Sequence, residues 1–274
     1  MENSEILMVG NYCHDTLINP RGIFEELGGS ASYISAALAG MGVQARTIAK
    51  VGLDFRYLDR VRTAPLISRE FPTTHFIDDT TSGKRVATLK SVCAPILASD
   101  LPRSRARIGI VSGVAMEILP ETLVRVRELT DTVICDAQGL IRMTDSESRV
   151  HNRPFAETAF VTLLGKIDYL KVSENEARLF DLTDVPRSLT ILLTEGKAGC
   201  RVLREGHDTK IHAFPMDEID ATGAGDCFVA GFAQALTQGL NVERAARRAN
   251  FVAAWAVSQV GVPDFSGMKI PPDL

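Results

Sequence analysis

Short apolar runs alternate along this chain with longer stretches in which apolar residues recur every three or four positions. The first run, Ile6-Leu7-Met8-Val9-Gly10, is apolar on both faces and reads as a buried strand, with Asn11 and Asp15 beyond its carboxyl end. Apolar residues at 31, 34, 38 and 41 keep helical spacing after the pair Gly28-Gly29, and Gly42 suits the position after a helix end. Further strands are expected over residues 46–52, 108–113, 132–136, 167–172 and 189–194. Helices are expected over 117–129, from Ser173 to Phe180, from Gly225 through Leu236, and over 242–260. Residues 145–158 read as irregular and 159–165 as a short helix. Between about 71 and 92 the rhythm changes to two β-rich pieces joined by Asp78-Asp79-Thr80-Thr81-Ser82-Gly83, a hairpin that serves either as an edge or as a small lid. A second hairpin is expected over 200–214. Repeated strand and helix units imply an α/β fold with a largely parallel, helix-covered sheet.

The 274 residues, 45% hydrophobic and 23% charged, suffice for one large α/β domain, or for one with a small appendage. A net charge of −4 speaks against a protein that coats nucleic acid. The acidic start Met1-Glu2-Asn3-Ser4-Glu5 lacks the basic region of a secretory leader, and no apolar run reaches spanning length, so a soluble, cytoplasmic protein is expected. Five scattered cysteines without a CxxC suggest neither a disulfide framework nor a zinc site, and the five histidines form no HExxH.

The chemistry concentrates in Ile219-Asp220-Ala221-Thr222-Gly223-Ala224-Gly225-Asp226, which runs into the apolar helix pattern from Cys227. Small residues at a helix start leave backbone N–H groups open, and the positive end of the helix favours an anion there. Asp226 is then either a helix cap or a general base beside bound phosphate. Glu176, three residues after Ser173, has capping-box form. Lys84, Arg85 and Lys90 in the hairpin are solvated charges or phosphate contacts. Asp15 and Gly29 suit a hydroxylated substrate, Glu176 a hydrated Mg²⁺, and Thr194 and Gly196 a nucleotide, which together would serve phosphoryl transfer.

The segments Gly28-Gly29, Lys50-Val51-Gly52-Leu53-Asp54-Phe55, Ser173-Glu174-Asn175-Glu176, Thr194-Glu195-Gly196-Lys197-Ala198-Gly199 and Asp220-Ala221-Thr222-Gly223-Ala224-Gly225-Asp226 resemble those of the ribokinase-like (PfkB) carbohydrate kinases. Within that family, Val9-Gly10-Asn11-Tyr12-Cys13-His14-Asp15, Ile118-Leu119-Pro120-Glu121-Thr122-Leu123, and Gln138 with Leu140-Ile141-Arg142 resemble the plant-type myo-inositol kinase branch. The resemblance implies a three-layer sandwich with a mostly parallel central sheet and a small β lid. It implies one kinase domain over 1–274, with lid segments near 16–27 and 71–93. It implies ATP and Mg²⁺, a small polyol as acceptor with myo-inositol foremost, and a monomer or a homodimer joined through its lids. Asp226 is then the base, with Gly223, Ala224 and Gly225 forming the anion hole. Asn11, Asp15, Gly28 and Gly29 bind the acceptor. Ser173, Thr194, Gly196, Gly199, Asn250 and Ala253 flank the nucleotide together with Gly223 and Gly225, Glu176 acts on the metal through water, and Arg142 is a further candidate near the phosphates.

The chain departs from the family pattern at Ser173, in the neighbourhood of Tyr33 and at Arg56, where the family usually carries Asn, a sugar-contacting Asn and Gly, and this bears on substrate preference. A kinase of another sugar or a nucleoside is the neighbouring alternative, and a non-catalytic sugar-binding protein the alternative from another class. A dinucleotide site fails because Phe228 stands where the third glycine of GxGxxG belongs, and a P-loop is absent because no GxxxxGK[ST] occurs.

Overall fold

Alternation along single strands decides how the central sheet is covered. The computed structural model describes residues 5–83, 85–181 and 185–274; Met1–Ser4, read above for a leader, and Lys84, read above as a possible phosphate contact, lie outside the described residues. In chain order the strands are β1 (Ile6–Val9), β2 (Cys13–Asn19), β3 (Gly22–Gly28), β4 (Ala45–Ile48), β5 (Lys50–Gly52), β6 (Leu66–Ser68), β7 (His75–Asp79) and β8 (Val86–Ser91). They continue with β9 (Ala106–Val111), β10 (Thr130–Asp136), β11 (Arg142–Thr144), β12 (Val150–Asn152), β13 (Tyr169–Ser173), β14 (Thr190–Thr194), β15 (Cys200–Arg204) and β16 (His207–Ile211). The helices are α1 (Ser30–Gly40), α2 (Pro120–Leu129), α3 (Gln138–Ile141), α4 (Glu174–Ala177), α5 (Ala224–Thr237) and α6 (Val242–Val257).

Eight strands form one sheet in the order β16-β15-β14-β13-β10-β9-β1-β4. Its pairs are parallel from β4 to β14, and β15 and β16 join antiparallel at one edge. In β1, Ile6 and Met8 pack into the core shared with α1, α5 and α6. Leu7 and Val9 pack into the opposite core, shared with α2, Phe155, Phe160 and Phe180. The two-residue period of the strand thus supplies both layers, and each buried aliphatic side chain adds roughly 1.5–3 kcal/mol.

A second sheet, in the order β3-β2-β7-β8, stands at the carboxyl end of β1. Only Gly10, Asn11 and Tyr12 separate β1 from β2, and only Gly29 separates β3 from α1, so this sheet is spliced into the core at both ends. The expected 71–92 hairpin is β7 and β8, which pair antiparallel. The short hairpin of β11 and β12 lies beside β8.

Several element boundaries differ from the sequence expectation for local reasons. The strand expected over 46–52 is two strands: β4 pairs with β1, while β5 pairs with β6, because the backbone turns away at Ala49. There Gly10 N–H donates to Ile48 O at 3.2 Å and Lys50 N–H to the Asn11 side chain at 2.7 Å. The helix expected from Ser173 to Phe180 is a single turn, α4, and the segment expected to be irregular contains β12. The short helix expected at 159–165 is a 3₁₀ turn over Val161–Lys166, and the last helix ends at Val257. No helix among the described residues is long and apolar enough to cross a membrane.

The helix expected to begin at Glu117 begins at Pro120, because the Glu117 side chain turns inward instead. Its carboxylate, 1% exposed, accepts N–H groups from Asn11 (3.2 Å), Val114 (3.0 Å) and Ala115 (2.7 Å), tying the ends of β1 and β9 together. Glu117→Ala leaves three buried donors without a partner, at about 1–3 kcal/mol each before relaxation. A loss of roughly 3–5 kcal/mol is expected, which lowers Tm by about 6–15 °C. Thermal unfolding followed by circular dichroism checks this; a shift below about 2 °C would mean that these amides find other acceptors.

Candidate active site

The turn before α5 is shaped by one side chain of its own and by the absence of another. Asp220 accepts the Thr222 N–H at 2.9 Å through one oxygen and the Gly261 N–H at 3.2 Å through the other, which fixes the approach to the helix. Gly223 follows in the left-handed region at φ 74°, and a Cβ there would overlap the Tyr33 ring. Only glycine satisfies both demands. The N–H groups of Gly225 and Asp226 find no protein acceptor among the described residues, and they stand at the positive end of the fourteen-residue helix α5.

Asp226, 9% exposed, accepts the Ser112 hydroxyl at 3.2 Å. Burial, and after it the nearby Asp136 carboxylate, push its pKa up to about 7, against the opposing pull of Lys171, Ser112 and Arg142. Behind it lies a buried charge cluster on neighbouring strands. Lys171 of β13 reaches both oxygens of Asp136, at the end of β10, at 3.1 and 3.2 Å, and lies 3.9 Å from Glu176. Burial works against the Glu176 charge, but Lys171 and Ser173 outweigh it and hold that carboxyl below its ordinary range. Ser173 and Glu176 form the capping box of α4: Ser173 N–H donates to Glu176 at 2.7 Å, and Glu176 N–H to the Ser173 hydroxyl at 3.3 Å.

At the other end of the cavity, the Asp15 side chain of β2 lies across Gly28, where a Cβ would overlap its carboxylate. Gly29, at φ 85°, brings the backbone against Asn11 O, where a side chain would also overlap. The buried Oδ1 of Asp15 has no hydrogen-bond partner, an uncommon state for a buried acceptor and one that a ligand hydroxyl would relieve. Burial first, then Asp78, push its pKa up to about 7. Arg85 forms a two-pronged ion pair with Asp78 at 2.8 and 2.9 Å, while Arg142 donates to Val114 O at 2.9 Å and lies over the Phe76 ring.

These groups face a polar cavity of about 620 Å³. Against it lies an apolar cavity of about 360 Å³, walled by Phe214, Pro215, Met216, Phe228, Ala253, Ala254 and Val257. Ala221, Ala224 and Gly225 line both, so the amide turn is the partition between them. Of the residues singled out from sequence, Asp15, Gly29, Arg142, Gly223, Ala224, Gly225 and Asp226 meet in the polar cavity, and Thr194, Gly196, Gly199, Asn250 and Ala253 in the apolar one. Asn11, Gly28, Ser173 and Glu176 line neither. Asn11 is fully buried and bonded to Lys50 and Glu117, Gly28 makes room for Asp15, Ser173 caps α4, and Glu176 stands behind Lys171. Asn250 reaches the apolar cavity while its amide donates to Ile211 O and His212 O at 3.0 and 3.1 Å. Sequence reasoning passed over Ser112 and Lys171 and gave Asp136 no role. The available signal was a lysine inside the apolar run Tyr169-Leu170-Lys171-Val172, a residue type rarely buried without a partner.

Comparison with known proteins bears on the family of the chain. The pfkB family carbohydrate kinase pattern matches residues 127–266. Inositol 3-kinase of Arabidopsis thaliana is 38% identical over 277 residues, covering 98% of this chain and 78% of the relative. Among solved structures, the nucleoside kinase of Burkholderia thailandensis bound to inosine superposes with a TM-score of 0.77 at 18% identity, covering 95% of this chain and 93% of that one. A pyrophosphate-dependent kinase of the ribokinase family, complexed with a pyrophosphate analogue and myo-inositol, gives 0.75 at 20% identity, covering 92% and 93%. The two structures share the ribokinase-family fold with this chain, and the sequence likeness carries the rest: the chain belongs to the pfkB family of carbohydrate kinases.

Proposed function

We propose that this kinase transfers the γ-phosphoryl group of MgATP to a hydroxyl of myo-inositol, with Asp226 as general base. The observation that carries the reading is the shared amide turn, with a base of pKa about 7 on its polar side and an apolar slot behind it. The slot suits a flat adenine ring, whereas pyrophosphate, the donor of one structural neighbour, has no apolar part to fill it. The polar cavity suits a polyol, whose hydroxyls need partners around the whole ring; Asp15 with its unpartnered oxygen, Asn152 and Gln138 are available there. The likeness to an inositol 3-kinase supports the same choice of acceptor.

In this reading the acceptor hydroxyl attacks the γ-phosphorus in line. A new O–P bond forms as the bond to the β-phosphate oxygen breaks, the hydroxyl proton passes to the Asp226 carboxylate, and ADP leaves. The open N–H groups of Gly225 and Asp226 hold the charge that develops on the phosphoryl oxygens. A hydrated Mg²⁺ bound with the donor would supply charge to offset that of the phosphates. Glu176, behind Lys171 and lining neither cavity, is the carboxylate assigned to that ion, and it would act on it through water. The sheet of β2, β3, β7 and β8 is the lid of a single kinase domain, and the enzyme works as a monomer or as a dimer joined through its lids.

ADP release measured with MgATP across myo-inositol, other inositols, ribose, fructose and nucleosides, and with pyrophosphate in place of ATP, tests the assignment. Turnover is expected with myo-inositol and MgATP; turnover with ribose or inosine but not with myo-inositol would overturn the acceptor, and preference for pyrophosphate would overturn the donor. Asp226→Asn is expected to lower kcat by roughly 10²- to 10⁴-fold with ATP affinity retained, and near-normal kcat would remove Asp226 as the base. Asp226 and Asp15 are both raised to about 7, and both serve as carboxylates, so protonation switches the enzyme off. kcat/KM is therefore expected to climb through a midpoint near pH 7 and level off above about pH 8. A pH–rate profile already flat at about pH 5 would contradict this.

A further inference from the structure

Lys171 has more donor capacity than its two acidic neighbours use. An ammonium carries three N–H bonds. The two Asp136 oxygens, at 3.1 and 3.2 Å, occupy at most two of them, and Glu176 at 3.9 Å is beyond hydrogen-bond reach. The side chain is only 7% exposed, yet it lines the polar cavity. Its position there is specific: a Cβ built on Gly225 would stand 2.9 Å from Lys171 Nζ and 3.2 Å from Cε, so the ammonium rests against the residue whose own N–H is open. A lysine that merely balanced Asp136 would have no need of the cavity wall or of a glycine opposite its tip.

We infer that Lys171 is a catalytic residue of the phosphoryl transfer proposed above, the fixed cation of the anion hole, which contacts the terminal phosphoryl group of the donor as it crosses the Gly225 turn. The inference rests on that proposal for where the donor's phosphates lie. The backbone amides supply partial charges and direction, and Lys171 supplies a full charge that the strand holds in place before the donor arrives. Asp136 keeps the ammonium charged and aimed while the cavity is empty, and its carboxylate remains as the counter-charge once the third N–H is taken by phosphate. Lysine serves here as a point charge, a role that tolerates the change in phosphate geometry between donor and product.

Removing Lys171 alone strands a buried carboxylate and destabilises the fold, so the informative variant is the double Lys171→Met with Asp136→Asn, which removes both charges at similar volume. Its control is Asp136→Asn alone, which keeps the ammonium. Calorimetric binding of MgADP and of the β,γ-imido analogue of MgATP needs neither acceptor nor base, so the readout stands even if myo-inositol is the wrong substrate. The preference for the triphosphate over ADP is expected to be about 10- to 100-fold smaller in the double variant than in the control. In turnover with MgATP and the acceptor found active, kcat of the double variant is expected roughly 10²- to 10³-fold below that of the control, with acceptor KM changed by less than about threefold. Equal triphosphate preference in the two variants would overturn the inference, and so would equal kcat; either result would leave Lys171 as a structural counter-ion of Asp136.

Discussion

Charge held out of water at the carboxyl edge of a parallel sheet is the constraint on which the rest of this structure depends. Asp136, Lys171, Glu176 and Asp226 are all nearly buried within reach of one another, and the cluster is tolerable only because each member has a partner fixed by a different strand or helix. Lys171 stands on β13, Asp136 ends β10, Ser112 follows β9 and Asp226 opens α5. Parallel neighbours deliver these side chains to one edge at one height, which is why ligands of open α/β sheets collect there. Desolvation then does chemical work: it brings an aspartate that would be fully ionised in water to the point where it can accept a proton near neutrality.

The partition between the two cavities follows from a second constraint, the demand for absent side chains. Gly223 has no room for one because Tyr33 fills the space, and Gly225 faces the lysine tip. The Tyr33 ring packed against that glycine braces the amide turn.

Most of the framework was legible because its signals are local. Apolar runs located the strands of the large sheet, and the glycines of Gly28-Gly29 and Gly223-Ala224-Gly225 located the turns at Gly29 and Gly223. Boundaries slipped where a distant partner overrode local preference: Glu117 bends inward to serve Asn11, 106 residues away in sequence, and so delays α2, while the 46–52 run divides at Ala49 between two sheets. Within the candidate site, residues on glycine-rich turns were legible because few other duties explain them. The Lys171–Asp136 pair was not, because it is a contact between two strands that neither segment announces alone. Asn11 is a divided case: its side-chain oxygen fastens the backbone at Lys50, while its buried amide nitrogen is left without a partner.

The splice of the small sheet into the large one has a geometric consequence. Asp15 rides on β2, whereas Asp226 opens α5, which is packed against the core, and only Gly10, Asn11 and Tyr12 connect β1 to the strand that carries Asp15. The two carboxylates therefore belong to different frames, and the gap between them is set by the angle at which the frames meet. In the proposed reaction, a molecule spanning that gap would act as a gauge: one of the right width would hold both ends at once, while water, which touches only one, would set nothing. Discrimination against wasteful cleavage of the donor can thus be written into an angle between sheets, with no residue assigned to exclude solvent.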